Sequence, residues 1–490
     1  MRLGGKMVGI ISCGAYIPRY RIARQTISAA MGWLNRYALA GEKAVTNYDE
    51  DSLTMAVAAS MDCVGTADRA KIDGLYFATT TAPYRERESA AIIATALALP
   101  SAVHTVDLGN SLKAGTSAAL LSCGAVKAGD RESVLVCAAD CRLGKPGSSQ
   151  EVVFGDAAVA LLIGGERVIA SLEGSYTVSY DFPDHWRAAF DRFDRALEDR
   201  WVRDEGYTRF ISEAISGLLK KYRLEPGHFA RVIYPCLYLR EHAAIGKKLG
   251  FESHQLQSPL LTTVGDSGTA SPLLMLTAAL EESKPGDNIL VASYGSGSEA
   301  LWFKVTPEIE KKRRGWVKQS LNAKQELTSY EQYLVFNGTL PVESGLRGEV
   351  GTTQMPVAWR ERKTILSLCG SRCKRCGVPQ YPPQRICVNP DCGAIDEMEE
   401  YRFSDKKGVV FSYTEDHLAA SPNPPQFYGA IDFEGGGRSI FDITDCEAAS
   451  LKVGMTVRMT FRRKYADEAR GIYGYGWKVR PLNEEGRQDV

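Results

Sequence analysis

Four cysteines in the last third of the chain have the spacing of a metal site. They form two pairs, Cys373-Lys-Arg-Cys376 and Cys387-Val-Asn-Pro-Asp-Cys392, and a glycine follows each pair. Such pairs make tight turns whose thiolates can surround a tetrahedral zinc ion, with no position left open for a substrate. Disulfides are the alternative, but a reducing compartment disfavours them. The pattern therefore predicts one structural zinc ion, bound by Cys373, Cys376, Cys387 and Cys392.

Composition narrows the class of protein. The chain has 490 residues, 44% of them apolar, and its 59 basic side chains equal its 59 acidic ones. This length suits two or three packed domains. A net charge of zero argues against nucleic acid as a partner. The most apolar stretch is far shorter than the ~18 residues of a membrane span, and no secretion signal is evident, so we predict a cytoplasmic protein with no membrane partner.

The pattern of apolar residues along the chain predicts the strands and helices that must hold the functional groups. In the first part of the chain, β-branched runs such as 133–137 and 287–292 alternate with alanine-rich helical runs, which is typical of an α/β fold. One unit repeats, because Gly115-Thr-Ser-Ala-Ala-Leu-Leu121 and Gly268-Thr-Ala-Ser-Pro-Leu-Leu274 each open a helix that leads through Gly-Asp into a strand. We therefore predict a duplicated α/β fold, with chance similarity between alanine-rich helices as the alternative.

The C-terminal part has a different character. A charge run at 310–314 predicts a solvated linker. After the cysteines, β-rich runs are separated by turn residues, which predicts a small barrel. These runs are 408–413, 427–431, 439–443 and 456–461.

Residues 1–345 resemble the 3-hydroxy-3-methylglutaryl-CoA synthase branch of the thiolase superfamily, on motifs spread along that part of the chain. The motifs are Gly14-Ala-Tyr-Ile-Pro-Arg-Tyr-Arg21, Glu50-Asp-Ser-Leu-Thr-Met-Ala56, Lys113-Ala-Gly-Thr116, Phe154-Gly-Asp-Ala-Ala158, Pro183-Asp-His-Trp-Arg187, Lys247-Lys-Leu-Gly-Phe251 and Tyr294-Gly-Ser-Gly297. The residues after them resemble the zinc-ribbon/OB-fold domain that often accompanies thiolase-like proteins.

The resemblance implies an architecture and a substrate class. It implies a duplicated thiolase fold of five layers, αβαβα, followed by the zinc ribbon and an OB-like β-barrel. The expected parts are 1–165 and 166–345 for the two halves, 346–398 for the linker and ribbon, and 399–490 for the OB-fold. The family also implies coenzyme A as part of an acyl-CoA substrate and a homodimer. A separate thiolase subunit is a further expected partner.

The catalytic positions depart from the family pattern. The family's nucleophilic cysteine corresponds to Ser111, its acid/base glutamate to Thr80, and its histidine to Pro235. Proline cannot transfer a proton and threonine is a poor general acid, so acyl transfer through a cysteinyl thioester is not expected. Two titratable groups are gained, His185 for a phenylalanine and Asp266 for an asparagine.

These changes favour an enzyme that forms or breaks a carbon–carbon bond without an acyl-enzyme. Aldol or retro-aldol cleavage of a 3-hydroxyacyl-CoA needs one tuned acid/base and donors for the enolate oxygen, and no covalent nucleophile. Asp266 or His185 would move the proton, with the Tyr294–Gly297 backbone near the thioester oxygen. Their alternative roles are a helix cap and a stacking residue.

Two other functions stay open. Acyl transfer, Claisen condensation or thiolysis would need Ser111 as nucleophile, or Cys236 in its place, although a buried apolar role suits Cys236 better. A non-catalytic scaffold that binds acyl-CoA for a partner thiolase is the other. In each case Arg240, Lys247 and Lys248 are the expected contacts of the nucleotide phosphates, and exposed helix charges are the alternative reading.

Overall fold

The computed structural model describes residues 7–35, 37, 39–343 and 351–482, and it separates the chain into two compact units. The first unit runs to Tyr333, apart from two short segments, Asn47–Glu50 and Thr95–Ala98. Those segments belong to the second unit, together with the chain from Leu334 onward. The boundaries of the four parts expected from the sequence stay predictions.

Twelve strands lie in the first part of the chain. They are β1 Gly9–Tyr16, β2 Tyr20–Ala23, β3 Glu42–Val45, β4 Gly74–Ala78, β5 His104–Leu108, β6 Ser133–Asp140, β7 Ala157–Gly164, β8 Ala170–Ser179, β9 Arg231–Ile233, β10 Asn288–Tyr294, β11 Gly297–Val305 and β12 Gln325–Glu326. Eight more follow, β13 Cys369–Cys373, β14 Pro379–Gln380, β15 Met398–Arg402, β16 Lys407–Asp416, β17 Gln426–Phe433, β18 Arg438–Ile443, β19 Thr456–Asp467 and β20 Ile472–Pro481.

The α-helices range from single turns to fifteen residues. They are α1 Arg24–Met31, α2 Ser52–Val64, α3 Ser89–Ala96, α4 Ala114–Ala128, α5 Ser149–Val153, α6 Asp199–Trp201, α7 Arg209–Tyr222, α8 Leu239–Lys248, α9 Ser271–Glu282, α10 Ile309–Lys312, α11 Trp316–Asn322, α12 Tyr330–Phe336, α13 Met355–Arg360 and α14 Arg362–Leu366. A π-helix, Val202–Thr208, joins α6 to α7. None of the helices described is long and apolar enough to cross a membrane.

The topology of the first unit confirms the predicted duplication. Nine strands lie in the order β5-β4-β6-β7-β1-β8-β11-β10-β9. In the first half β4 runs parallel to β6, which pairs antiparallel with β7; in the second half β9, β10 and β11 repeat this arrangement. The counterpart of β5 is a single parallel bridge between Val232 and Leu256. The two repeated helices are α4, which leads into β6, and α9, which leads into β10.

The helices complete the five layers of a thiolase fold. α2 packs mainly on strands of the first half and α7 mainly on strands of the second, whereas α4 and α9 contact strands of both halves. β6 and β7 are buried along their whole length, as strands covered on both faces must be. Gly115 lies where α4 approaches the start of α9, and a Cβ there would be 2.4 Å from the Thr269 carbonyl oxygen. The absence of a Cβ at Gly115 is what permits this approach.

The second unit contains the two β structures expected from the sequence. β13, β14 and β15 form a small ribbon, and β16-β17-β18-β20-β19 form a closed five-stranded barrel. The four predicted β-rich runs fall within β16, β17, β18 and β19. Phe461 stacks on Tyr475 and meets Trp477 edge-on, so these aromatic side chains are core residues of this unit.

A buried network of charges lies in the second unit. Arg462 on β19 pairs with Asp445 at 2.6 Å and with Glu50, and Lys478 on β20 pairs with Asp49 at 2.9 Å. All five side chains are at most 5% exposed. Burial alone would raise the pKa of Asp49, but Lys478 and Arg462 hold it below its usual value. The barrel strands thus contain buried cations that carboxylates of the acidic segment 47–50 and Asp445 neutralise.

Replacing Asp49 with Asn should lower the free energy of unfolding by about 3–5 kcal/mol, because it leaves buried cations without their partner. Urea unfolding of the full chain measures the loss, and faster hydrogen exchange in β19 and β20 locates it. Since the folded pKa of Asp49 is depressed, its contribution is present above the unfolded pKa and is lost as pH falls through the folded value. The variant should lack that acid-side loss.

The matched control is Lys363→Gln, which breaks the exposed 2.6 Å pair of Lys363 with Glu400 in the same unit. It should cost less than about 1 kcal/mol. Equal losses in the two variants would contradict a special role for the buried network.

Candidate active site and metal centre

A polar cavity of about 270 Å³ lies beside the segment that leads into α4. Its walls come from four stretches of the first unit: the loop after β4, the segment between β5 and α4, the loop after β8, and the turn between β10 and β11. The lining residues are Thr80, Asn110, Ser111, Phe182, Asp184, His185, Trp186, Arg187, Asp194, Gly295 and Ser296. Two of the three predicted catalytic residues, Ser111 and His185, are therefore in one cavity.

Ser111 sits in a tight turn before α4. The preceding Asn110 has a left-handed backbone, with φ +64°. The Ser111 hydroxyl donates to the Gly295 carbonyl at 2.9 Å. A Cβ on Gly295 would lie 2.9 Å from that hydroxyl oxygen, so only glycine fits at this approach. No histidine or carboxylate contacts the Ser111 hydroxyl among the residues described, so it lacks the adjacent base that activates a serine.

His185 and Asp184 form an acid–base pair in the same cavity. Nδ1 of His185 lies 2.9 Å from Oδ1 of Asp184, and Asp184 is only 5% exposed. A carboxylate at Nδ1 favours the tautomer that carries its proton there, which leaves Nε2 as the proton acceptor. The pair thus has the chemistry of an oriented general base.

Thr80 is held by a buried carboxylate. Oδ1 of Asp140 accepts the backbone N–H of Thr80 at 2.7 Å and its hydroxyl at 3.1 Å. The hydroxyls of Thr79 and Thr81 donate to the same oxygen at 3.0 Å each. Thr80 therefore has its hydroxyl engaged and forms a fixed part of the wall.

Asp266, the third predicted catalytic residue, is not among the cavity-lining residues. Its Oδ2 lies 3.1 Å from Nη1 of Arg142, and its Oδ1 accepts the Gly268 N–H at 3.2 Å. The alternative role as a helix cap is wrong, because Ser267 and Ala270 are the N-cap residues of the short helix 268–270 and of α9. Arg142 also pairs with Asp194 at 2.8 Å, and Asp194 pairs with Arg187 at 2.7 Å. Burial alone would lower the pKa of Arg142, but Asp194 and Asp266 raise it. Asp266 thus belongs to a charged network behind the cavity wall.

The remaining candidates are dispersed. Cys236 is buried, and burial raises its pKa to about 12, so it is a thiol at neutral pH. The Pro235 carbonyl accepts the Tyr207 hydroxyl at 2.7 Å. Arg240, Lys247 and Lys248 are exposed along α8. They are free to meet solvent or a phosphate.

Sequence reasoning missed the supporting groups of the cavity. Asp184, Arg187, Asp194 and Asp140 all contact a lining residue or line the cavity themselves. Asp184 could have been found from the sequence, because a carboxylate directly before a histidine can hydrogen-bond to the histidine ring. Asp140 and Asp194 had no such signal, since their partners are distant in the chain.

The four predicted cysteines come together in the ribbon. Their sulfur atoms all lie within 4.8 Å of one another, with Cys373 and Cys392 at 3.8 Å and Cys376 and Cys387 at 3.4 Å. Zn–S bonds of about 2.3 Å in a tetrahedron place sulfurs ~3.8 Å apart, so the cluster fits zinc. The Val378 N–H lowers the pKa of Cys376 to about 7, which favours the thiolate that binds metal.

Comparison with known sequences finds similar proteins for both units. Hydroxymethylglutaryl-CoA synthase of Methanopyrus kandleri is 34% identical over 315 residues, which is 62% of this chain and 90% of that protein. The enzyme of the same name from Methanobrevibacter smithii is 31% identical over 347 residues, 68% of this chain and 99% of its own. A family model described as the C-terminal OB-fold domain of ChsH2 matches residues 401–462.

Solved structures agree on the fold. A hydroxymethylglutaryl-CoA synthase complexed with CoA matches with a TM-score of 0.61 at 18% identity, covering 67% of this chain and 89% of that one. The 3-oxoacyl-[acyl-carrier-protein] synthase III of Aquifex aeolicus matches with 0.55 at 20% identity, covering 61% and 99%. Both carry the thiolase fold of the first unit.

The metal prediction is one zinc ion per chain. Cys376→Ser should remove the zinc found by elemental analysis and speed hydrogen exchange of the ribbon strands, because a small ribbon has little core of its own. Cys369→Ser, outside the cluster but on the same ribbon, is the control and should keep the metal. A zinc content near zero in the unmutated protein, or a disulfide among the four, would contradict the assignment.

Proposed function

Because this chain belongs to the hydroxymethylglutaryl-CoA synthase family, we propose that it acts on acyl-CoA thioesters and forms or breaks a carbon–carbon bond. The specific reaction we propose is aldol or retro-aldol cleavage of a 3-hydroxyacyl-CoA without an acyl-enzyme. One observation carries this proposal: the cavity that holds Ser111 without a base also holds the oriented pair of Asp184 and His185.

In the cleavage direction, Nε2 of His185 takes the proton of the substrate's 3-hydroxyl group. The bond between C2 and C3 then breaks, the hydroxyl carbon leaves as a carbonyl compound, and the electron pair moves to C2 and the thioester oxygen. Backbone donors of the Tyr294–Gly297 turn stabilise that enolate oxygen. The proton held by His185 returns to C2 and completes a shorter acyl-CoA, so no other reactant is needed.

Acyl transfer has weaker support. The Ser111 hydroxyl is committed to the Gly295 carbonyl, and burial raises the pKa of Cys236 to about 12, so neither group is an activated nucleophile. Between the two gained titratable groups, His185 is the better candidate because it lines the cavity. We assign Asp266 to holding Arg142, which through Asp194 holds Arg187 at the cavity wall.

The other parts have supporting roles in this proposal. Zinc in the ribbon stabilises that part of the second unit and takes no part in the reaction, since four thiolates complete its coordination. Arg240, Lys247 and Lys248 bind the phosphates of coenzyme A. A homodimer, a partner thiolase and a cytoplasmic location stay predictions from the sequence.

His185→Phe should lower kcat for cleavage of 3-hydroxyacyl-CoA substrates by about 10²–10⁴-fold, the contribution of one general base. Ser111→Ala should keep most of the activity, because no covalent intermediate involves it. Mass spectrometry of products from a panel of 3-hydroxyacyl-CoA and 3-oxoacyl-CoA thioesters, with and without free CoA, measures both.

Other results of this assay would overturn the reaction class. Cleavage that depends on free CoA indicates thiolysis, and an acyl group trapped on Ser111 or Cys236 indicates acyl transfer. Saturable binding with no turnover of any thioester would indicate the scaffold function.

The coenzyme A contact is tested separately by calorimetry. Replacing Arg240, Lys247 and Lys248 together with Gln should weaken acyl-CoA binding by at least tenfold, since each charge-assisted phosphate contact contributes about 1.5–3 kcal/mol. Three exposed lysines elsewhere in the first unit, Lys127, Lys220 and Lys284, provide a control with the same change of charge. Equal weakening in the two triple variants would show a general charge effect and refute the α8 contact.

A further inference from the structure

Tyr294 carries a buried polar atom that the proposed mechanism does not use. The side chain is 3% exposed at the end of β10, directly before the lining residues Gly295 and Ser296. Its hydroxyl oxygen has no hydrogen-bond partner among the residues described. A buried hydroxyl left in that state costs about 1–3 kcal/mol, so its retention calls for a reason.

Neighbouring residues leave just enough room for the hydroxyl group of Tyr294. A Cβ on Gly206 would lie 2.6 Å from the hydroxyl oxygen and 2.5 Å from a ring carbon of Phe182, so glycine is required there. Gly206 is part of the π-helix Val202–Thr208, and such helices are frequent at functional sites. Tyr207 packs edge-on against Tyr294 from the same π-helix, with ring centroids 5.7 Å apart.

The carboxylate of Asp184, the partner of the proposed base, acts electrostatically on this hydroxyl. Burial raises the pKa of Tyr294, and the nearby Asp184 carboxylate raises it further. Asp184 itself uses Oδ1 for both the His185 ring at 2.9 Å and the His185 N–H at 2.8 Å. This leaves its second oxygen for another donor.

We propose that Tyr294 is a positioning residue: its hydroxyl donates to Oδ2 of Asp184, so that Tyr294, Asp184 and His185 act as one chain that sets the basicity of the ring. This inference rests on the proposed function, in which His185 is the base. A hydrogen-bond donor at Oδ2 reduces the negative charge of the Asp184 carboxylate, so the carboxylate stabilises the protonated ring of His185 less. Removing the donor should therefore make the ring easier to protonate.

Other charged groups face His185 as well. Arg187 and Asp194 line the same cavity and are paired with each other at 2.7 Å, and Arg142 holds the other oxygen of Asp194. None of these contacts includes the Tyr294 hydroxyl. The effect of that removal on His185 therefore reports the path through Asp184.

The test is a nuclear magnetic resonance titration of the full chain with labelled histidine rings. The chain has six histidines, and His185→Phe identifies the signal of interest. In Tyr294→Phe the titration midpoint of the His185 ring should move up by about 0.5–1 pH unit. Tyr207→Phe removes a neighbouring buried hydroxyl that donates to Pro235, and should leave the midpoint in place.

The pH–rate profile is a second measurement, and it distinguishes the role of Tyr294 from the proposed cleavage reaction. If cleavage occurs, the acid limb of its pH–rate profile should move in the same direction in Tyr294→Phe. A shifted midpoint without any turnover would support the chain of groups and refute the cleavage. An unmoved midpoint and limb in a folded variant would refute the role of Tyr294. Should Tyr294→Phe not fold, Gly206→Ala must displace the hydroxyl and should shift the midpoint upward; no shift there would refute the role equally.

Discussion

The candidate site depends on the burial of one carboxylate, that of Asp140 at the end of β6. This side chain is fully buried, so each of its oxygens must be satisfied inside the protein. Oδ1 accepts hydrogen bonds from the side-chain hydroxyls of the three threonines 79–81. Oδ2 accepts a hydrogen bond of 2.8 Å from the N–H of Thr269, just before α9. One charge therefore fixes a wall of the cavity in the first half and the helix start of the second half.

The groups that could be predicted from the sequence share one property, which is local spacing. The cysteine pairs, the repeated helix–strand unit and the alternating barrel strands each show their structure within a few residues or one repeat. His185 and Asp266 could be marked as unusual, but their roles depend on partners far along the chain. Arg142 reaches Asp194 and Asp266 across 52 and 124 residues, and no spacing rule connects them. Physical reasoning on the sequence therefore finds elements and ligand sets, and misses networks.

Under the function proposed above, the fold keeps its geometry while its chemistry changes. The turn into α4, the glycine that covers Ser111 and the close approach of the two central helices all survive without a cysteine. What changes is which wall of the cavity bears the titratable group. In the reaction proposed above, the base is a histidine on the loop after β8, whereas the family's cysteine position lies at the start of the helix.

The acidic segment Asn47–Glu50 has a consequence for how the protein is made. Asp49 leaves the ribosome 395 residues before Thr444, its hydrogen-bond partner in the second unit. Until the barrel strands are made, this carboxylate lacks its cationic partners Arg462 and Lys478, so the second unit is completed only after those strands have been synthesised. Contacts between residues this far apart in the chain form slowly, and the segment Asn47–Glu50 stays exposed until they form. A gene split between the two units would separate the barrel from four of its own residues.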